Sequence, residues 1–84
     1  MLYKIYTENK NYEAIELMAG TYFPDGFTIS KAEGYWLGGH EHSLIIDIVT
    51  DDKQSVFDLA WNIKKHNAQD DVLVVTIPCD VKFV

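Results

Sequence analysis

Polar and apolar residues alternate at the start of the chain, and a helical repeat follows them. Residues 2–7 read Leu-Tyr-Lys-Ile-Tyr-Thr, and this period of two predicts a first strand. Apolar residues then recur every three or four positions and predict a helix over 12–22, with Asn11 as its N-cap. We expect Pro24-Asp25-Gly26 to end this helix, because proline and a glycine that adopts positive φ favour a turn.

Two strand-like segments separated by a pair of glycines predict a hairpin in the middle of the chain. Residues 27–36 and 42–50 have the composition of strands, and Gly38-Gly39 between them predicts the turn. The residues expected to share one buried face of the third strand are Leu44, Ile46 and Ile48.

The remaining residues predict a second helix and a fourth strand. Asp51 or Asp52 is expected to cap that helix. Its buried stripe is expected to consist of Val56, Leu59, Ala60 and Ile63. Residues 72–77 are apolar on both faces, which is typical of a strand in the middle of a sheet, so we expect a central position. Val81 and Phe83 indicate either a short continuation or a fifth strand at the sheet edge.

This order of elements predicts the α+β class. Two β-α-β halves joined by a hairpin give a ferredoxin-like βαββαβ two-layer sandwich, an antiparallel sheet with both helices on one face. With 84 residues the chain has room for a single domain, so we expect residues 1–84 to form one. The second face of such a sheet is left uncovered, and a second copy of the chain is its simplest cover, which predicts a homodimer.

The charge of the chain limits the classes of binding partner that we expect. The chain has thirteen Asp and Glu residues against seven Lys and no Arg, and its net charge is -6. Because Arg is the residue best suited to grip phosphate or guanine, we expect no binding to nucleic-acid duplexes. The single Cys79, the absence of a leader pattern and the lack of an apolar run of about 20 residues predict a protein of the host-cell cytoplasm without a membrane partner.

Polar and aromatic residues converge on the predicted hairpin. Gly34 and Trp36 are two residues apart and share a face of the second strand, and Glu41 and Ser43 share a face of the third in the same way. Together with Tyr35 they are the candidate ligand-binding residues, with stacking on the indole and hydrogen bonds to the carboxylate and hydroxyl. The alternative interpretation is structural, with Trp36 in the core and Glu41 holding hairpin N–H groups.

Candidate chemistry elsewhere is sparse. His40 and His42 have the spacing of metal ligands on a strand, but no third ligand is specified, so a metal site is only the weaker alternative. Asp51-Asp52 lie at the start of the predicted second helix, and Asp70-Asp71 lie just before the predicted fourth strand. Asp is common at such positions because it caps helices and favours turns, so we expect structural roles for both pairs. No serine nucleophile elbow or phosphate-binding glycine loop occurs, and we predict no cofactor and no catalytic residue.

Four short motifs occur in a fixed order along most of the chain. They are Phe23-Pro24-Asp25-Gly26-x-Thr28, Gly34-x-Trp36, Glu41-x-Ser43 and Gln69-x-x-Val72-Leu73. The combined pattern resembles a bacterial family known only as a domain of unknown function, whose members are mostly exported. It also resembles small hypothetical proteins encoded by phages and prophages of Gram-positive hosts. The resemblance implies a common fold, a shared site and an origin in a mobile element.

These observations favour a non-catalytic binding protein of phage type. It would act against host defence, either by sequestering a small ligand or by occluding a host protein. Two alternative functions belong to other classes of protein. One is a small enzyme that uses Glu41 as general base and a His as acid. The other is a structural or regulatory subunit that dimerises through its sheet.

Overall fold

The elements follow one another as strand, helix, strand, strand, helix and strand in a computed structural model that describes residues 1–84. They are β1 (Leu2–Glu8), α1 (Tyr12–Tyr22), β2 (Thr28–Trp36), β3 (Gly39–Val49), α2 (Lys53–Asn67) and β4 (Leu73–Ile77). The strands form one antiparallel sheet in the order β2-β3-β1-β4. The predicted ferredoxin-like βαββαβ fold is therefore confirmed.

The core lies between the sheet and the two helices. Every second residue of β1 and β3 faces it, and Ile5, Leu44 and Ile46 are fully buried there. The helices contribute Ile15 and Ala19 from α1, and α2 contributes the predicted stripe of Val56, Leu59, Ala60 and Ile63. The opposite face of the sheet carries no helix, and we call it the open face.

The two helices begin in different ways. Asp52 caps α2 as predicted, because its carboxylate accepts hydrogen bonds from the Ser55 N–H (3.1 Å) and the Ser55 hydroxyl (2.6 Å). Asn11 occupies the N-cap position of α1 in a left-handed conformation, with φ of 55°, and its side chain makes no capping bond. Asn11 is therefore the N-cap residue as predicted, and its carbonyl accepts from the Ile15 N–H (3.0 Å), but its side-chain amide donates to Asn67 Oδ1 (3.1 Å) instead of capping the helix.

Three strand predictions need correction. The strand β4 lies at the edge of the sheet rather than in its centre. No strand forms after Ile77, so the fifth strand expected around Val81 and Phe83 is not present. The strand β3 begins at Gly39 instead of residue 42, because the two turn residues are Leu37 and Gly38.

That turn has an unusual sequence. Leu37 and Gly38 have φ of 50° and 77°, the pair of positive values that lets a two-residue turn follow the twist of its strands. Glycine adopts this conformation freely, whereas a leucine is strained in it. The hairpin tip therefore presents Leu37 almost fully to solvent in a strained backbone conformation.

No helix of the structure has the length and apolar character needed to cross a membrane.

Candidate ligand pocket on the open face of the sheet

Strand pairing brings four of the predicted site residues to one place. Gly34 of β2 lies opposite Glu41 of β3, and Trp36 lies two residues further towards the hairpin tip. Ser43 is two residues from Glu41, and its neighbour Leu44 faces the core. Because side chains alternate along a strand, Gly34, Trp36, Glu41 and Ser43 all lie on the open face.

Gly34 makes room for the two polar side chains opposite it. A Cβ atom at this position would overlap with Ser43 Oγ and would lie 3.2 Å from Glu41 Cγ. The missing side chain thus lets the carboxylate and hydroxyl lie across β2, where Ser43 Oγ donates to Glu41 Oε1 at 3.4 Å. Ser43 is buried in this contact, whereas Glu41 keeps part of its surface exposed.

These residues form one wall of a cavity of about 470 Å³. The end of β1 contributes Tyr6, Thr7 and Glu8, and the loop between α2 and β4 forms the facing wall with residues 69–71. Leu73 of β4 closes the cavity from the side. A volume of this size is within the range of small-molecule sites, so the open face offers a concave pocket as well as a flat sheet surface.

A hydrogen-bond network holds the facing wall in position. Gln69 Oε1 accepts from the Thr7 hydroxyl (2.6 Å) and the Asn67 amide (2.8 Å), and Gln69 Nε2 donates to the Asp71 carbonyl (3.1 Å). Thr7 and Asn67 are only 3% and 4% exposed, and Asn11 donates to Asn67 as described above. Because buried polar groups must be satisfied, these bonds fix the loop relative to β1.

Sequence reasoning missed Thr7 and Asn67 as parts of the site. Gln69 belongs to one of the four motifs, but no local pattern in the sequence predicts its hydrogen-bond partners. Thr7 is 62 residues from Gln69 and 60 residues from Asn67 along the chain, so only the fold brings these side chains together.

The pocket carries negative charge. Its lining includes the carboxylates of Glu8, Glu41, Asp70 and Asp71 and no Lys. Glu8 is paired with Lys10 at 2.9 Å, which neutralises one of the four charges at the rim. The remaining three carboxylates have no salt-bridge partner.

Trp36 borders the cavity as predicted, and Tyr35 borders it from the other face of the hairpin. The Trp36 side chain is 65% exposed, so the interpretation of Trp36 as a core residue is wrong. Tyr35 borders the pocket, but it is paired with His40 on the opposite face of the hairpin and their rings stack at 5.0 Å. Tyr35 is therefore not on the same face as the other four candidate residues. The hairpin N–H groups are also not held by Glu41, whose carboxylate has Ser43 Oγ as its hydrogen-bond partner.

The histidines of the hairpin lie on that same opposite face. The rings of His40 and His42 are 5.6 Å apart, and His40 Nε2 is 3.8 Å from the Glu33 carboxylate. No group of three or more His, Cys, Asp or Glu side chains is arranged to hold a metal ion. Strand alternation also separates both histidines from Glu41, so the hairpin does not assemble the acid–base pair of the enzyme alternative.

A second, smaller cleft of about 270 Å³ lies between α2 and β4. Phe57 and Trp61 are exposed at its border, and Lys64 Nζ lies 5.0 Å from the centre of the Trp61 ring. The cleft is lined mainly by apolar side chains and lies outside the motif residues of the hairpin.

Solved structures share this fold. The chain is similar to CPII, a nitrogen regulatory PII-like protein from Thiomonas intermedia K12 solved bound to ADP, AMP and bicarbonate, with 16% identity, 93% of each chain covered and a TM-score of 0.63. It is similar to the GlnK–ATP complex of B. subtilis, with 20% identity, 90% of this chain and 81% of that chain covered, and a TM-score of 0.65.

A third similar structure is a DUF3240 family protein from Shewanella baltica OS155, with 15% identity, 99% and 94% coverage and a TM-score of 0.68. It agrees with the predicted likeness to a family of unknown function, without showing the motif pattern or a phage origin. No protein-family model matches the sequence, and no curated protein does. At these identities the likeness concerns the fold alone.

Proposed function

We propose that this protein is a non-catalytic binding protein that holds a small ligand in the pocket of the open face. The observation that carries the proposal is the position of Trp36, whose indole is 65% exposed at a cavity of about 470 Å³. A large aromatic ring left in solvent beside Glu41 and Ser43 provides a stacking surface next to hydrogen-bonding groups.

The construction of the pocket supports this proposal. Gly34 has no side chain where the neighbouring strand β3 carries Glu41 and Ser43, and the Gln69 network fixes the opposite wall. A site held in this way loses little freedom when a ligand enters, which favours binding. Two similar structures of the same fold were solved with small molecules bound, namely ADP, AMP and bicarbonate in one and ATP in the other.

A homodimer is the second part of the proposal. The open face carries partly exposed apolar residues outside the pocket, among them Leu2, Ile45, Val75 and Ile77. Burying such residues against the same face of a second copy would remove them from water and leave the helices outside. Sedimentation velocity that shows a monomer at millimolar concentration would contradict this part.

The biological setting remains the one that the motifs favour. A phage protein in the host cytoplasm that sequesters a small ligand would act against host defence without needing catalysis. The support is the motif resemblance and the small size and acidic charge of the chain. Occlusion of a basic groove on a host protein is the other form of this role. Survival of a phage-infected culture with and without the protein tests both forms.

Native mass spectrometry tests the binding function. Untagged protein purified from a bacterial host is compared before and after denaturation, alongside Trp36→Ala and Trp61→Ala. Trp61 is the matched control, because it is also an exposed tryptophan but lies on α2 away from the pocket. We expect extra mass on the wild type and on Trp61→Ala that is lost from Trp36→Ala.

The stability of the two variants is the necessary companion measurement. Both side chains are exposed, so we expect their melting temperatures to stay close to that of the wild type. Ligand mass that persists in Trp36→Ala and disappears in Trp61→Ala would move the site to the cleft beside α2 and contradict the proposal.

A further inference from the structure

We infer that the ligand of this pocket carries a positive charge beside a flat apolar group, and is not a nucleoside phosphate. The inference rests on the proposed function and adds the chemical class of the ligand. Its basis is the cavity and the exposed Trp36 indole, and the charges of the lining determine the sign of the ligand.

The lining selects against phosphate. Glu41, Asp70 and Asp71 face the cavity without salt-bridge partners, and no Lys lines it. The chain contains no Arg that could clamp a phosphate in two hydrogen bonds. The phosphates of ATP, ADP or AMP would therefore approach unpaired carboxylates, and like charges at contact distance repel. The neighbours' nucleotides therefore support a small ligand in this fold but not its chemical class in this pocket.

The same groups favour a cation. An ammonium, amidinium or guanidinium group can donate hydrogen bonds to the Glu41 carboxylate, and such charge-assisted bonds are about twice as strong as neutral ones. The Trp36 indole adds a second attraction, because the face of an aromatic ring attracts cations and also stacks on flat groups. Tyr6 supplies a further aromatic residue to the lining.

The position of the carboxylates supports an organic cation over a metal ion. No three metal-ligating side chains converge anywhere in the structure. The acidic groups instead lie on two facing walls, with Glu41 on β3 and Asp70 and Asp71 on the loop between α2 and β4. Carboxylates that come from two separate elements suit an organic cation that contacts both elements.

Three probes of similar shape separate the effect of charge on binding affinity from the effect of shape. Benzamidinium is a flat aromatic cation, benzamide is its neutral analogue and benzoate is its anionic analogue. Binding is followed by the fluorescence of Trp36 in the Trp61→Phe protein, which has no other tryptophan. We expect benzamidinium to bind about tenfold or more tightly than benzamide, which corresponds to about 1.4 kcal/mol, and benzoate to bind more weakly still.

Two charge-neutralising variants locate the effect. Glu41→Gln, in the Trp61→Phe background, is expected to weaken benzamidinium binding about fivefold and to leave benzamide unchanged. Glu16→Gln is the matched control, because Glu16 is exposed on α1 and makes no salt bridge. It removes the same net charge, so any long-range effect of charge appears equally in both variants.

The outcomes separate the inference from the proposed function. Equal affinities for the three probes, or tighter binding of benzoate or of ADP, would overturn the cationic ligand and leave the pocket as a binding site. In the Trp36→Phe protein, which keeps Trp61, quenching of Trp61 by benzamidinium as strong as that of Trp36 would place the binding at another site and would overturn the inference. Failure of every probe and of ADP to bind, with no extra mass in the native spectrum, would contradict both the inference and the proposed function.

Discussion

The two faces of β3 differ in what they contribute. On one face Leu44, Ile46 and Ile48 are almost completely buried against the helices. On the other face the same strand carries Glu41 and Ser43, which lie across Gly34 and line a cavity. One strand therefore supports the fold with one set of side chains and presents the other set to the cavity.

The open face is also divided along its length. Away from the hairpin tip, Lys4 and Asp47 pair at 2.6 Å, and the hydrogen bond to the Asp47 carboxylate raises the pKa of Lys4. Near the hairpin tip the carboxylates of the pocket have no such cationic partner apart from the Glu8–Lys10 pair. The unpaired charges are therefore concentrated where the cavity is, and this contrast supports a binding role for that end.

The largest expected effect compares two neighbouring isoleucines. Ile46→Ala, on the buried face, is expected to lower the free energy of unfolding by about 2–5 kcal/mol, because it leaves a cavity in the core. Ile45→Ala, on the open face, is expected to cost about 1 kcal/mol, because Ile45 is only partly buried. Urea denaturation of both variants at low protein concentration provides the measurement.

The same two variants also test whether a second copy of the chain covers the open face. If a second copy covers the open face, the cost of Ile45→Ala grows with protein concentration while that of Ile46→Ala stays constant. If both variants lose the same free energy of unfolding at every protein concentration, the two faces contribute equally to stability.

Gly34→Ala is the next largest change. The new methyl group would overlap with Ser43 Oγ and crowd Glu41, so we expect a loss of about 1–3 kcal/mol in the free energy of unfolding. Adding Ser43→Ala should recover part of that loss, because it removes the overlapping atom. A double-mutant cycle measures this coupling, and strict additivity would contradict the close contact of Gly34 and Ser43.

A smaller effect of opposite sign is expected at the hairpin tip. Leu37→Asn should raise the free energy of unfolding by about 0.5–1 kcal/mol, because asparagine tolerates the left-handed conformation better than leucine. Leu37 also borders the pocket, so ligand binding in the same variant shows whether the strained leucine serves binding. An unchanged or lower stability would argue against strain at this position.

The smallest effect concerns a residue far from both faces. Hydrogen bonds from the Ser55 hydroxyl and then from its N–H lower the pKa of Asp52 below the usual 3.8. A carboxyl with a lowered pKa stabilises the fold above its unfolded pKa, and this stabilisation is lost as the pH falls through the folded pKa. Asp52→Asn keeps a capping oxygen but does not titrate. Its melting temperature should therefore fall less than that of the wild type in strong acid.

Prediction from the sequence succeeded where a buried face imposes a period. The bounds of α1 and the stripe of α2 were predicted because core-facing residues must recur at helical spacing. The position of β4 was predicted wrongly, because residues 72–77 are apolar on both faces for another reason. Val72 and Val74 pack against the core, while Leu73 borders the pocket of the open face.

The candidate site was predictable only in part. Alternation placed Gly34, Trp36, Glu41 and Ser43 together, because residues two apart share a face of a strand. Tyr35 also borders the cavity, but the same rule puts it on the other face of β2, where its ring stacks on His40. The loop that forms the opposite wall depends on contacts of Gln69 with Thr7 and Asn67, and such contacts follow from the complete fold.

The indole N–H signals of the two tryptophans show directly whether a ligand enters the pocket of the open face. In a nitrogen-15 labelled sample they give two resolved peaks, one from the pocket and one from α2. Adding the small-molecule fraction of a bacterial lysate should shift the Trp36 peak and leave the Trp61 peak in place. A shift confined to Trp61, or no shift of either peak, would contradict a ligand pocket on the open face.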